Sequence, residues 1–438
     1  MVWHLIKYWI SFLLPTFYKR IQGKNIHLLK VRGPAIIAMN HPNAFTDPIL
    51  FTYVAYPVRT YYLARGDAFK PGLISWILEK IGIVPIFRIQ DGGKEGLKKN
   101  DEAYRRVNHL LGKHSKIIVF AEGLCVQERR LRPLKKGVAR MVFGAYTALN
   151  DDRLMVYPVG VNYSQPDKFR SDLFYNVGEP IPVKDFIPLY QENPAKANNA
   201  FLQVLESKMK GLVTHINDRN YDETVYMAET LYKRELLNTR GLNPKDLSDD
   251  FVALTEITEK VNRGVIERTA LVDEFTVKAT AYFNELKRLK IRDWLIDPNQ
   301  NRQVNYLALV GRGIILLACF PLHALGLLGN YIPLRVTDKL ARKIARNREF
   351  YSSMAIGFAM FIFLINYLLW FFLSRFFFTN SLWPLIICLI LAISGWASLY
   401  YHPFLKKTLG MARVLRNKTT AKDLLQTRNY LIDLINKF

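Results

Sequence analysis

The 438 residues fall into three regimes of hydrophobic patterning. From Lys24 to about Ile216, apolar runs of strand length alternate with stretches of helical spacing. The runs predict strands over Ile26–Val31, Ala35–Met39, Thr60–Ala64, Val84–Phe87, Lys116–Ala121, Met155–Val161 and Leu173–Val177. Helices are expected over Pro48–Tyr56, Gly72–Lys80, Glu95–Leu111, Val138–Leu149 and Ala195–Ile216. Asn162–Phe169, with a proline and no periodicity, reads as a loop. Such an order implies an α/β domain over residues 23–216, a mixed sheet covered by helices.

The other two regimes are helical. Residues 217–300 read as a helical extension, a lid or spacer. Residues 301–402 hold three long apolar runs and are expected in a membrane. Residues 354–373 and 382–400 are near spanning length, whereas 307–328 is interrupted by Arg312, Pro321 and His323. That first run is expected to lie in the interface or to dip in and return with a bend near Pro321. Residues 403–438 read as a basic tail. At the other end, Val2–Phe17 has apolar residues at helical spacing but is too short to span. Residues 1–22 are therefore expected to form an interfacial amphipathic helix, the alternative being a helix packed on its own domain.

Charge sharpens this picture. The 61 Lys and Arg exceed the 37 Asp and Glu, giving +24, which implies an anionic partner. Apolar spans in the same chain favour lipid headgroups over nucleic acid, and no zinc-finger spacing or RNP-like aromatic box argues otherwise. The basic segments from Arg335 to Arg348 and after Tyr401 place the α/β domain and the C-terminus on the cytoplasmic side. Cys125, Cys319 and Cys388 have no metal or redox spacing, as in a reducing compartment.

Candidate chemistry gathers at Asn40-His41-Pro42-Asn43-Ala44-Phe45-Thr46-Asp47-Pro48. The preceding run Ala35–Met39 puts His41 at the carboxyl end of an inner strand, where open α/β sheets bind ligands. A histidine with a carboxylate nearby can take a proton from an alcohol while the carboxylate fixes its tautomer. On one continuous helix the two side chains would point about 120° apart. A dyad therefore needs His41 on a turn and Asp47 at or near the start of the next helix. The residues alone leave a second account open: Asp47 as an N-cap before Pro48, and His41 as a satisfied turn histidine.

This stretch resembles the first block of the glycerol-phosphate and lysophosphatidate acyltransferases, whose signature is Asn-His, usually four residues, then Asp. Here five residues intervene, as in the yeast-like glycerol-3-phosphate acyltransferase branch. Gly82-Ile83-Val84-Pro85-Ile86-Phe87-Arg88 resembles the second block, Phe120-Ala121-Glu122-Gly123 the third and Val156-Tyr157-Pro158-Val159 the fourth. Ala121 and Leu124 depart from the third block, where Pro and a small or hydroxyl residue are usual. The resemblance covers roughly Lys24–Val183. It implies His41 as base, Asp47 as its orienting group and Arg88 on the acceptor's phosphate. Arg suits that task because its guanidinium is a fixed fork of donors. Glu122 and Gly123 are expected to line the acceptor site. Lys135 is expected beside them, in a basic run with Arg129, Arg130, Arg132 and Lys136.

The resemblance implies acyl transfer from a thioester, acyl-CoA or acyl-carrier protein, to a hydroxyl of glycerol 3-phosphate or its 1-acyl derivative. That is a step of phospholipid synthesis requiring no cofactor, metal or covalent enzyme intermediate. Acylation of another lysolipid is the near alternative. A non-catalytic lipid-binding protein on the same scaffold, or a His/Asp metal hydrolase, would be a different class.

Overall fold

The computed structural model describes residues 14, 16–66, 82–86, 89–298, 304–345, 347–380 and 382–438. The chain divides into two compact units: residues 1–215 with 245–251 and 347–353, and residues 216–244 with 252–346 and 354–438.

The first unit is built on one sheet. Its strands are β1 (Tyr18–Lys24), β2 (Ala35–Met39), β3 (Thr60–Arg65), β4 (Ile83–Ile86), β5 (Lys116–Phe120), β6 (Met155–Tyr163), β7 (Ser171–Val177) and β8 (Ile181–Pro182). They run in the order β1-β7-β6-β2-β5-β3-β4, with β8 paired to β6. The strands from β6 to β4 are mutually parallel, and β7 is antiparallel to β6, so the sheet is mixed. All five residues of β2 are buried, as expected of an apolar strand with neighbours on both edges.

Helices α1 (Thr46–Val54), α2 (Ile89–Gly112), α3 (Lys136–Leu149), α4 (Ile187–Glu192) and α5 (Pro194–Lys210) accompany the sheet. Ile36, Ile117, Val142, Phe143, Phe201 and Leu205 belong to the core between sheet and helices. Gly160 on β6 permits a close approach, since a Cβ there would lie 1.9 Å from the Leu212 carbonyl oxygen.

Several expectations change here. Ile26–Val31 is not a strand: residues Ile26–Lys30 form a 3-10 turn after Asn25 in the left-handed region. The strand lies earlier, at Tyr18–Lys24, and so claims the last part of the helix expected over 1–22. Its polar sequence suits an edge strand, and Arg20 pairs with Asp172 at 2.8 Å and Asp250 at 2.7 Å. Residues 1–13 of that expected helix, the helix Gly72–Lys80, and Phe87 lie outside the described residues. Asn162 belongs to β6 rather than to a loop, and its side chain bonds Leu212 and Thr214, where the chain has left α5 short of Ile216.

The second unit contains α6 (Asp222–Thr239), most of α7 (Leu247–Glu267) and α8 (Thr269–Arg288). It also contains α9 (Tyr306–Ile344), α10 (Tyr351–Arg375) from residue 354, α11 (Leu382–Arg416) and α12 (Lys418–Lys437). The chain does not turn back near Pro321: α9 runs as one helix for 39 residues with Pro321 and Pro333 inside it. Contacts with α11 hold it helical, for Gly326 lies against the Ser394 carbonyl and the Asn330 amide donates to the Leu391 carbonyl at 2.9 Å. Among the described residues three helices, over 306–344, 348–375 and 382–416, are long and apolar enough to cross a membrane. Residues 403–438 are not a free tail. α12 buries Leu424, Leu431 and Ile435 in a core shared with Val225, Leu231 and Phe275. Arg428 is itself buried there, bonding Asp293 at 3.0 Å, Asp297 at 3.4 Å and the Leu231 carbonyl at 2.9 Å.

Candidate active site

The carboxyl ends of the parallel strands meet at one edge, with Met39 in register with Phe120 on one side and Val159 on the other. Beyond Met39 the chain must leave the sheet, and Asn40 fixes where. Its side chain donates to the Val161 carbonyl at 3.0 Å and accepts from the Val161 N–H at 2.7 Å. This two-point clasp prolongs the β2–β6 pairing by one residue and aims His41 off the edge.

Between His41 and Asp47 the chain makes a tight turn. The Asn43 carbonyl accepts from the N–H groups of Thr46 and Asp47, and Ala44 has a φ of 28°. That left-handed value is strained for a residue with a Cβ. Asp47 enters the first turn of α1, and its Oδ2 comes to 2.9 Å from His41 Nδ1. A carboxylate can only accept, so Nδ1 carries the proton and Nε2 is the basic nitrogen. Asp47 does not cap the helix. The cap position is Phe45, with no side-chain hydrogen bond.

Asp47 is fully buried and needs partners for both oxygens. Oδ2 also accepts from the Asn43 N–H at 2.7 Å, and Oδ1 accepts from the Tyr163 hydroxyl at 2.7 Å. The Tyr175 hydroxyl donates to the Asp47 carbonyl at 2.8 Å. Burial, followed by the charge of Asp47, raises the pKa of both tyrosines, which keeps them protonated as donors. The imidazole of His41 stacks on Phe120, with ring centroids 3.6 Å apart and planes 15° apart. Tautomer and ring plane are thus both fixed.

Glu122 stands two residues beyond the end of β5, after Ala121, at the same edge. It is buried, and Oε1 accepts from the Arg132 N–H at 2.7 Å. Burial pushes its pKa up, against the opposing effects of the Arg132 and His41 backbone groups. Gly123 has a φ of 65°, and a Cβ there would meet the Lys135 side chain at 2.9 Å. Lys135 and Lys136 are exposed at the start of α3. Arg132 pairs with Glu128 at 2.8 Å, Arg130 lies 3.4 Å from the same carboxylate, and Arg129 donates to the Ser164 carbonyl. Arg88 lies outside the described residues. β4 ends at Ile86, level with the end of β3.

Cys125 accepts from the Ala44 N–H at 3.0 Å, and burial pushes its thiol pKa up, which is the wrong direction for a nucleophile. Among the described residues no three His, Cys, Asp or Glu side chains gather as a metal would need.

Sequence reasoning missed Tyr163, Tyr175, Phe120 as a stacking partner and the Asn40 clasp. Tyr163 sits 116 residues beyond Asp47, and only the register of β6 against β2 brings it there.

Residues 20–162 match the family described as Acyltransferase. Glycerol-3-phosphate O-acyltransferase 1 of Saccharomyces cerevisiae is 24% identical over 341 residues, covering 76% of this chain and 42% of that protein. The chloroplastic 1-acyl-sn-glycerol-3-phosphate acyltransferase BAT2 of Brassica napus is 26% identical over 134 residues, covering 30% of this chain and 36% of that one. The chain spans less than half the length of these relatives. Among solved structures, the 1-acyl-sn-glycerophosphate acyltransferase of Thermotoga maritima aligns with a TM-score of 0.35 and 16% identity. The alignment covers 48% of this chain and 79% of that one, a likeness too slight to support more.

Proposed function

We propose, from the premise that residues 20–162 are a domain of the acyltransferase family, that this chain moves a fatty acyl group from a thioester to a glycerolipid hydroxyl. The acceptor is glycerol 3-phosphate or 1-acylglycerol 3-phosphate, as the names of the relatives indicate. The donor is acyl-CoA or acyl-carrier protein.

The observation that carries this reading is the 2.9 Å pair of His41 Nδ1 and Asp47 Oδ2, backed by Tyr163. As the acceptor oxygen attacks the thioester carbonyl, Nε2 takes the hydroxyl proton. Buried Asp47 holds the tautomer and stabilises the imidazolium that forms. A carbon–oxygen bond forms, the carbon–sulfur bond breaks, and the proton passes to the departing thiolate. Arg88 and Lys135 bind the acceptor's phosphate, with Glu122 and Gly123 shaping the acceptor site. The apolar helices keep the site at the membrane where acyl chains reside. The catalytic domain and C-terminus face the cytoplasm, with α10 and α11 crossing and α9 lying along the interface, in keeping with the basic stretch Arg335–Arg348. A cysteine at Lys418 should then escape an impermeant thiol reagent in intact cells.

The test is purified protein assayed with both acceptors and both donors, alongside His41→Ala. Loss of the base should cut turnover by about 10²–10⁴-fold in a variant that still folds and reaches the membrane. Near-normal turnover in that variant would sink the mechanism.

A further inference from the structure

One stretch of the membrane region belongs to the compact unit that carries His41. Residues 347–353 follow α9 and run into the first turn of α10, yet they pack with residues 1–215. Their polar contacts converge on the turn between His41 and Asp47. Ser353 Oγ lies 2.7 Å from the hydroxyl of Thr46, the residue next to Asp47 in the chain. Ser352 Oγ donates to the Pro166 carbonyl at 2.8 Å, and that carbonyl also accepts from Asn43 Nδ2 at 3.0 Å. Asn43 is the residue whose N–H holds Asp47 Oδ2. Ser352, Asn43 and Thr46 are all buried. On the same side Phe350 meets Phe45 edge to face, with ring centroids 6.1 Å apart, and Arg348 pairs with Asp167 at 2.7 Å.

We infer that Asn347–Ser353 is a positioning element of the active site, bracing the turn that presents Asp47 to His41. Thr46 immediately precedes the carboxylate in the chain and the Asn43 N–H bonds it, and each is tied, directly or through Pro166, to a serine at the foot of α10. The strained Ala44 lies between them. A turn that stores strain holds its shape only where its surroundings over-determine it, and these serines supply two of the constraints. The foot of α10 thus contributes to the geometry of the chemistry.

This inference rests on the acyl-transfer reading above, and the experiment separates the two. In full-length, membrane-reconstituted protein, Ser352→Ala/Ser353→Ala should lower kcat about tenfold or more. The KM of each substrate should stay within about twofold, because the serines hold the dyad and not the substrates. Ser353→Thr keeps the hydroxyl and should keep kcat within about threefold. The single Ser353→Ala variant gives the same reading where the double substitution costs the fold, which a melting curve shows. A double variant that folds with wild-type kcat would overturn this inference and leave the acyl-transfer reading intact. So would a threonine variant as slow as the alanine one. A wild-type chain that transfers no acyl group to either acceptor overturns both.

Discussion

The Tyr163 hydroxyl donates to Oδ1 of Asp47 at 2.7 Å, on the carboxylate oxygen that His41 does not use. Each oxygen of the buried carboxylate therefore has its own task. Tyr163→Phe removes one hydrogen bond to a charged acceptor, an interaction worth about 1.5–3 kcal/mol. Part of that is felt in the transition state, so kcat should fall about 3- to 30-fold with little change in KM. Asp47→Asn should cost more than Tyr163→Phe and less than His41→Ala. Steady-state kinetics of the three variants checks the order, and a Tyr163→Phe enzyme slower than Asp47→Asn would contradict it.

Under the proposed function Arg88 holds the acceptor's phosphate. Arg88→Lys keeps the charge and loses the fork, so KM for the phosphorylated acceptor should rise about 10-fold or more while that of the acyl donor moves much less. Equal effects on both constants would make Arg88 a structural residue.

Glu122 gives a pH signature. Burial raises its pKa, so over the range between its ordinary and raised values the folded chain binds the proton more than the unfolded chain does. Stability contributed by this group therefore falls as pH rises through that range. Glu122→Gln cannot titrate and loses this slope. Its melting temperature relative to the wild type should climb as pH is raised from about 4 to 7. A constant difference across the titration would show that Glu122 is not held up by burial.

In the second unit, Arg428 is the cation that buried Asp293 and Asp297 share. Arg428→Met removes the buried charge that these two carboxylates share and should destabilise that unit by about 3–5 kcal/mol. Thermal or denaturant unfolding of the detergent-solubilised protein measures this. A loss below about 1 kcal/mol would mean that the cluster relaxes around the deletion.

What the sequence made legible follows from how local each signal is. β2 was readable to the residue because five consecutive buried apolar positions announce an inner strand. The pairing of His41 with Asp47 was readable as a requirement, a turn followed by a helix start. The left-handed Ala44 within the turn had no sequence mark. β1 was misread because an edge strand reading Tyr-Lys-Arg-Ile-Gln-Gly-Lys lacks clean alternation, while Ile26–Lys30 imitates it. Tyr163 and the serines of 347–353 reach the site through register and packing across more than a hundred residues, which no local pattern encodes. The C-terminal segment was read by its charge alone, although Leu424, Leu431 and Ile435 recur at helical spacing.

The place of Arg428 also bears on the order of events during synthesis. Asp297 is made 131 residues before the arginine that bonds it, and three long apolar helices intervene. At roughly 5–20 residues per second, the ribosome needs about 7–26 s to cover that distance. For that interval α6, α7 and α8 lack the helix that completes their core, and Asp293 and Asp297 lack their cation. Apolar segments are leaving the ribosome at the same time, so the body must close on a chain that has already engaged the bilayer. The soluble-looking half of this unit is thus the last to finish, and the insertion machinery, by timing alone, works on it while it is still open.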